Sequence, residues 1–88
     1  MPIIALFYGV IITMIAGDRE HNPPHFHAKY QDYEAEYDFD GNILAGKMHK
    51  GRHKLIAAWA EIHRDDLEAD WEICRAGLSP MKIEAGRL

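Results

Sequence analysis

The chain has 88 residues, with 14 acidic and 10 basic side chains and a formal net charge of -4. This length predicts a single domain over residues 1–88. The acidic balance counts against unaided binding of nucleic acid, which normally needs a basic surface, although six histidines add positive charge as the pH falls toward about 6. Cys74 is the only cysteine in the sequence, so no internal disulfide can form, and a reducing intracellular compartment is the simplest interpretation.

Residues 2–16 form an apolar N-terminal run that superficially resembles a signal peptide. No lysine or arginine precedes the run, and it is shorter than the roughly 20 apolar residues that a membrane helix needs. Its β-branched residues and Gly9 favour two short strands, or one strand bent at the glycine. We therefore expect a soluble, cytoplasmic protein that does not enter a membrane.

A histidine-rich segment, His21-Asn22-Pro23-Pro24-His25-Phe26-His27, follows a predicted loop over residues 17–24. From residue 25 onward, polar and aromatic residues alternate, which is typical of a strand with one wet and one buried face. The alternation places His25, His27 and Lys29 together on the polar face.

A hairpin is predicted between strand 25–30 and strand 33–39, joined by a two-residue turn at Gln31-Asp32. This register places each basic side chain opposite an acid, and such pairs stabilise a sheet by about 0.2–1 kcal/mol each. The predicted pairs are Tyr30 with Tyr33, Lys29 with Glu34, Ala28 with Ala35, His27 with Glu36, Phe26 with Tyr37, and His25 with Asp38.

The rest of the chain predicts a further strand over 43–48 and then two helices. The first helix is expected to begin near Gly51 or Arg52 and to end near His63. The second is expected to begin at Asp65, with Glu68 as its capping-box partner, and to end at Gly77; residues 81–84 are a short edge strand or a loose tail. The predicted fold class is α+β: an antiparallel meander of four to five strands, followed by two helices packed on one face.

The histidines offer a metal site as one hypothesis. Two histidines separated by one residue on a strand project from the same face and can share a zinc or other transition-metal ion. The candidate ligands are His21, His25, His27 and Asp38. At such a site Glu36 could also hold His27, with the carboxylate fixing the imidazole tautomer. The alternative is that the whole face is only a cross-strand charge ladder in solvent.

A second hypothesis is acid–base catalysis of RNA cleavage, with His25, His27 and Lys29 as candidate catalytic residues. A basic run over residues 47–54 could hold phosphates or an acidic partner, or could be only a solvated turn before a helix. Acidic residues on the same predicted strand face would repel a phosphate. The candidate binding residues are His21, His25, His27, Lys47, Lys50, Arg52 and Lys54.

Several segments together resemble a known family, domain-of-unknown-function family 4160, which consists of small bacterial proteins. The resemblance covers nearly the whole chain, and its segments are Phe7-Tyr8-Gly9, the histidine-rich segment, Tyr33-Glu34-Ala35 and the helical stretch from Trp59 to Trp71. It implies a fold and a partner, since members are often encoded beside another small protein and some are described as possible toxin–antitoxin components. It supplies no catalytic residues. Asp18-Arg19-Glu20 replaces the shorter junction that the family leads us to expect.

Two functions follow as hypotheses. The first is a protein-interaction component of a toxin–antitoxin-like pair, which binds a neighbour-encoded small protein or a second copy of itself. The alternative is a histidine-dependent or metal-dependent nuclease that acts as a toxin through the face carrying His21, His25 and His27. An exposed apolar patch would favour the first, and a concave pocket that joins these histidines to the basic run would favour the second.

Overall fold

Five strands and two helices follow one another in the computed structural model, which describes residues 2–15 and 23–83. Their bounds are β1 Ile3–Phe7, β2 Val10–Thr13, β3 His25–Tyr30, β4 Tyr33–Asp38, β5 Ile43–Lys47, α1 Lys50–Ile62 and α2 Arg64–Arg75. The strands pair antiparallel in chain order to form one sheet. The predicted α+β meander with two following helices is confirmed. The loop predicted over 17–24 falls largely outside the described residues.

The two hairpins that position the site have tight turns. Tyr8 and Gly9, both at positive φ, separate β1 from β2, so the N-terminal run is two short strands as predicted. Gln31, with a φ of 53°, helps to turn β3 into β4. The register runs from Tyr30 opposite Tyr33 to His25 opposite Asp38, and all the pairs predicted from the sequence are present.

The core lies between helix α1 and the inner face of the sheet, which carries Phe26, Ala28, Ala35 and Tyr37. Trp59 of α1 is fully buried, and its ring lies 5.6 Å from that of Phe26. Phe26 in turn stacks on Tyr37 with ring centroids 5.4 Å apart. Buried aromatic surface of this kind is the main favourable contribution to folding, and it fixes which sheet face remains open.

Helix α1 begins where a histidine caps it. The His49 side chain accepts a hydrogen bond from the backbone N–H of Arg52, which satisfies one of the free donors of the first turn. The basic run is therefore divided: its second half forms the first turns of α1. Farther along the helix, the Tyr37 hydroxyl lies 2.9 Å from Nδ1 of His53 and joins β4 to α1.

The start of α2 differs from its prediction. The helix begins at Arg64 after His63, and within the described part of the chain no side chain caps it. The predicted capping box is wrong, because Glu68 forms an ion pair with Arg64 at 3.0 Å instead. An arginine four residues before the glutamate offers a charged partner on the helix surface, and the Glu68 carboxylate takes it.

Residues after α2 return toward the first strand. Gly77, with a φ of 84°, reverses the chain after the helix. The Met81 backbone N–H then donates to Oδ1 of Asp70, and the Ile83 N–H donates to the Ile4 carbonyl at 2.7 Å. No strand is assigned between residues 76 and 83, so the described part of this segment is neither an edge strand nor a loose tail but an irregular stretch held by hydrogen bonds. Neither of the two helices is long and apolar enough to cross a membrane, within the residues that the structure describes.

Candidate functional site

The outer face of the sheet, opposite α1, is the candidate site. Cross-strand partners share a face, so the pairing defines two rows of side chains across it. One row is Thr13, His27, Glu36 and Ala45, and the other is Ile11, Lys29, Glu34 and Lys47. A shallow groove of about 460 Å³ follows these rows. The small residues Ala45 and Gly46 line the β5 side of the groove, which leaves the imidazole and carboxylate groups accessible.

Two histidines and one glutamate converge in this region. His25 and His27 lie two residues apart on β3, and Glu36 lies on β4 directly opposite His27. One potential ligand atom from each residue lies within 4.8 Å of the others. Of the ligands expected from the sequence, the structure thus brings His25 and His27 together, with Glu36 as the carboxylate.

His25 differs from the expectation of a wet polar face. Only 6% of it is exposed, because the rings of His27 and Trp71 each lie 5.3 Å from its own. Its Nδ1 lies 3.0 Å from the carbonyl oxygen of Pro23, and since a carbonyl can only accept, this nitrogen carries the proton and donates. The ring orientation is therefore fixed, and in the neutral ring Nε2 is the nitrogen that can accept a hydrogen bond or bind a metal.

The remaining sequence candidates near the cluster have other contacts. Oδ1 of Asp38 accepts hydrogen bonds from the backbone N–H groups of Asp40 and Asn42, each at 2.9 Å, and Oδ2 accepts one from the Asn42 side chain. The carboxylate thus shapes the turn before β5. Lys29 forms an exposed ion pair with Glu34 at 3.7 Å. His21 lies outside the described residues.

The basic run does not gather around the histidines. Lys47 lies on the outer face, in the row of Lys29 and Glu34, whereas the other three basic candidates belong to α1. Arg52 donates from Nε to the Tyr8 carbonyl and lies 4.5 Å above the Tyr30 ring, so its guanidinium stabilises the first turn of the sheet. The remaining two, Lys50 and Lys54, are exposed on the helix.

An apolar region adjoins the charged rows on the same face. Because Ile3 pairs with Thr13 and Leu6 pairs with Ile11, these four side chains form the outer surface of the β1–β2 hairpin, which we call the outer hairpin face. Ile3 and Leu6 are both largely exposed. The outer face of the sheet therefore has an apolar part on β1 and β2 and a charged part on β3 and β4.

Sequence reasoning missed two of these features. The prediction for the apolar N-terminal run included no solvent-facing side, yet the alternation of side chains along a strand already assigns every second residue to an outer face. Glu36 was considered only as a partner that orients His27. Its position opposite one histidine, and two register positions from the pair that contains the other, was the signal that could have identified it as a ligand.

Comparison with protein families gives one finding. The family model described as Domain of unknown function (DUF4160) matches residues 9–72, which is well over half of the chain and includes both the histidine-rich segment and most of the helices. Comparison with curated proteins and with solved structures returns no match. The chain therefore belongs to the DUF4160 family.

Proposed function

We propose that this chain is the protein-interaction component of a toxin–antitoxin-like pair in the bacterial cytoplasm. The observation that supports the proposal is the outer hairpin face, where Ile3 and Leu6 lie exposed on a sheet face that also carries charged rows. A contiguous apolar patch with polar neighbours is typical of a protein-binding surface, since burial of apolar area stabilises the complex and the charges select the partner.

The edge of the sheet supports the proposal less well. Every residue of β5 is exposed, and an open edge strand can pair with a strand of another chain. However, the register shifts between Glu36 and Tyr37, and Gly46 has a φ of 84°. Both irregularities twist the strand away from regular pairing, which is how sheets protect their edges. We therefore assign the interface to the sheet face.

The occupant that we propose is the small protein encoded beside this chain. The resemblance to the family implies such a neighbour, and the outer face carries both signs of charge, with Lys29 and Lys47 on either side of Glu34. A partner that covers the apolar hairpin buries contact area, and complementary charges on that partner would fix its position on the face.

Co-expression of the two proteins tests this proposal. We expect a stoichiometric complex by light scattering, and we expect hydrogen exchange to slow in the β1–β2 hairpin and in β3 when the partner is present. A complex that protects only the helices would contradict the assigned interface. A chain that forms a homodimer through β1 and β2 and ignores the neighbour would show that the occupant is a second copy.

A second candidate function is hydrolysis of RNA, supported by the proximity of His25, His27 and Glu36. One imidazole would accept a proton from the attacking hydroxyl, and another group would donate a proton to the leaving oxygen. The basic residues of α1 are not part of this cluster, so the phosphate contacts would come from Lys29 and Lys47 on the outer face.

RNA cleavage by the purified protein, with and without a chelator, tests the second candidate. His27→Ala should abolish cleavage and any growth inhibition, whereas Glu34→Gln, on the same strand face as Glu36, should retain them. Unchanged activity in His27→Ala would eliminate this function.

A further inference from the structure

The β3–β4 hairpin carries, at the end away from its turn, the side chains of a transition-metal site. Two imidazoles and one carboxylate, from His25, His27 and Glu36, place one potential ligand atom each within 4.8 Å of one another. This donor set is one that zinc uses when it keeps a coordination position open, and it differs from the all-oxygen sets that magnesium and calcium prefer.

The backbone fixes two of the three ligands relative to each other. His27 and Glu36 are direct cross-strand partners, and the hairpin register that pairs them extends without interruption from residue 25 to residue 38. A slip by one residue would move the imidazole and the carboxylate to opposite faces. The short turn between β3 and β4 therefore also determines the ligand spacing.

His25 has the second feature of a metal ligand. A histidine that binds a metal through one ring nitrogen commonly donates from the other to a carbonyl or carboxylate, which fixes the tautomer. Here Nδ1 donates to the Pro23 carbonyl at 3.0 Å, and this is a backbone group supplied by the double proline before the strand. With an exposure of 6%, His25 is buried, and its ring packs on Trp71. The orientation of the ring is therefore already restricted.

Zinc binding would require these ligand atoms to move closer together. In a tetrahedral zinc centre with ligand bonds of about 2.0–2.1 Å, neighbouring ligand atoms are about 3.4 Å apart. His27 and Glu36 are only partly buried and can rotate toward His25, whose ring is held in place. We propose that Nε2 of His25, one ring nitrogen of His27 and a carboxylate oxygen of Glu36 bind a zinc ion at the junction of β3, β4 and α2.

This site does not depend on the partner interface. The apolar residues of the outer hairpin face lie on β1 and β2, whereas the ligands lie on β3 and β4. Zinc binding can thus fail while the partner complex persists, and the reverse also holds. The proposed site also does not require the protein to be an enzyme, since a bound zinc ion could have the purely structural role of linking β3 to β4.

Zinc titration of metal-free, tag-free protein tests the proposal, with a chromophoric chelator as competitor. We expect one equivalent to bind and X-ray absorption to report nitrogen and oxygen neighbours at about 2.0–2.1 Å. Glu36→Gln and His27→Asn should each weaken binding by about 100-fold or more, because each removes a ligand rather than an outer contact. These two positions are partly exposed, so the variants should fold even if His25→Ala does not.

Glu34→Gln is the matched control. Glu34 lies on the same strand and the same face, two residues from Glu36, and pairs with Lys29 rather than with a histidine. It should leave the zinc affinity unchanged. The proposal is overturned if zinc does not bind, or if Glu36→Gln and His27→Asn bind it as tightly as the parent protein does.

Discussion

Gly46, in β5, lies at a position where the fold leaves no room for a side chain. Its φ is 84°, and a Cβ atom built there would lie 2.3 Å from the carbonyl oxygen of Glu34. We expect Gly46→Ala to destabilise the protein by about 2–4 kcal/mol, since the left-handed conformation and a backbone clash act together. Thermal or urea unfolding measures the loss.

Gly77 provides a matched control for this substitution. It has the same φ of 84°, but a Cβ atom there would meet no atom of residues 2–15 or 23–83 within 4 Å. Gly77→Ala should therefore cost only about 1–2 kcal/mol, which is the conformational part alone. Equal losses for the two alanine variants would show that the close approach of β4 to β5 does not restrict residue 46.

Asp70 is a buried carboxyl whose charge opposes folding. Only 3% of it is exposed, and burial raises its pKa above the ordinary value of 3.8, although the hydrogen bond from the Met81 N–H acts in the opposite direction. Oδ2 has no hydrogen-bond partner among the residues that the structure describes. Because the folded pKa exceeds the unfolded one, Asp70 favours the folded state most below pH 3.8, and this contribution is lost as the pH rises through the folded pKa.

Asp70→Asn should therefore be more stable than the parent protein at neutral pH. The advantage should shrink as the pH falls and should vanish below the ordinary pKa of an aspartate. Urea unfolding of both proteins across this pH range measures the difference, with the exposed Glu61→Gln as a charge-matched control. An advantage that is independent of pH would show that the carboxyl does not titrate in this way.

At the scale of elements, a hydrogen bond between two side chains joins β4 to α1. The Tyr37 hydroxyl and Nδ1 of His53 are 2.9 Å apart, and burial raises the pKa of Tyr37 to about 12, so the phenol stays protonated throughout the neutral range. Tyr37→Phe should lower the free energy of unfolding by about 1 kcal/mol, the usual net value of such a bond. Urea unfolding measures it.

Tyr33→Phe is the control for that substitution, because Tyr33 lies on the same strand and is exposed. A double-mutant cycle with His53→Ala isolates the pair: the effect of Tyr37→Phe should disappear when the histidine is absent. A loss of equal size in both backgrounds would mean that the hydroxyl stabilises the fold by another route.

The β3–β4 hairpin could be predicted in full from the sequence, because charge pairing, aromatic pairing and a short connection all favour one register. The start of α2 could not be predicted, because Glu68 had two possible roles of similar strength. It could complete the capping box expected at Asp65, or it could pair with Arg64 as it does in the structure. The burial of His25 was also missed. It depends on Trp71, which is 46 residues away in the sequence and contacts His25 only after the helices have packed.

For the whole molecule, the division of the outer sheet face explains why two functions are suggested by one small domain. The β1–β2 part is apolar and suits a protein partner, while the β3–β4 part carries the histidines and Glu36. A chain of 88 residues has few surfaces, and this face is where exposed apolar side chains and potential ligands lie side by side.

The most direct test of the central claim is to compare the affinities of two variants, Leu6→Glu and Ile62→Glu, for the neighbour-encoded protein. The two parent side chains are similarly exposed, at 61% and 59%, but Leu6 lies on the outer hairpin face and Ile62 lies on α1. We expect Leu6→Glu to weaken binding by about 2 kcal/mol or more, close to 30-fold, while Ile62→Glu has no effect. Equal affinities for the two variants, or a loss confined to Ile62→Glu, would contradict the assignment of this face as the interface.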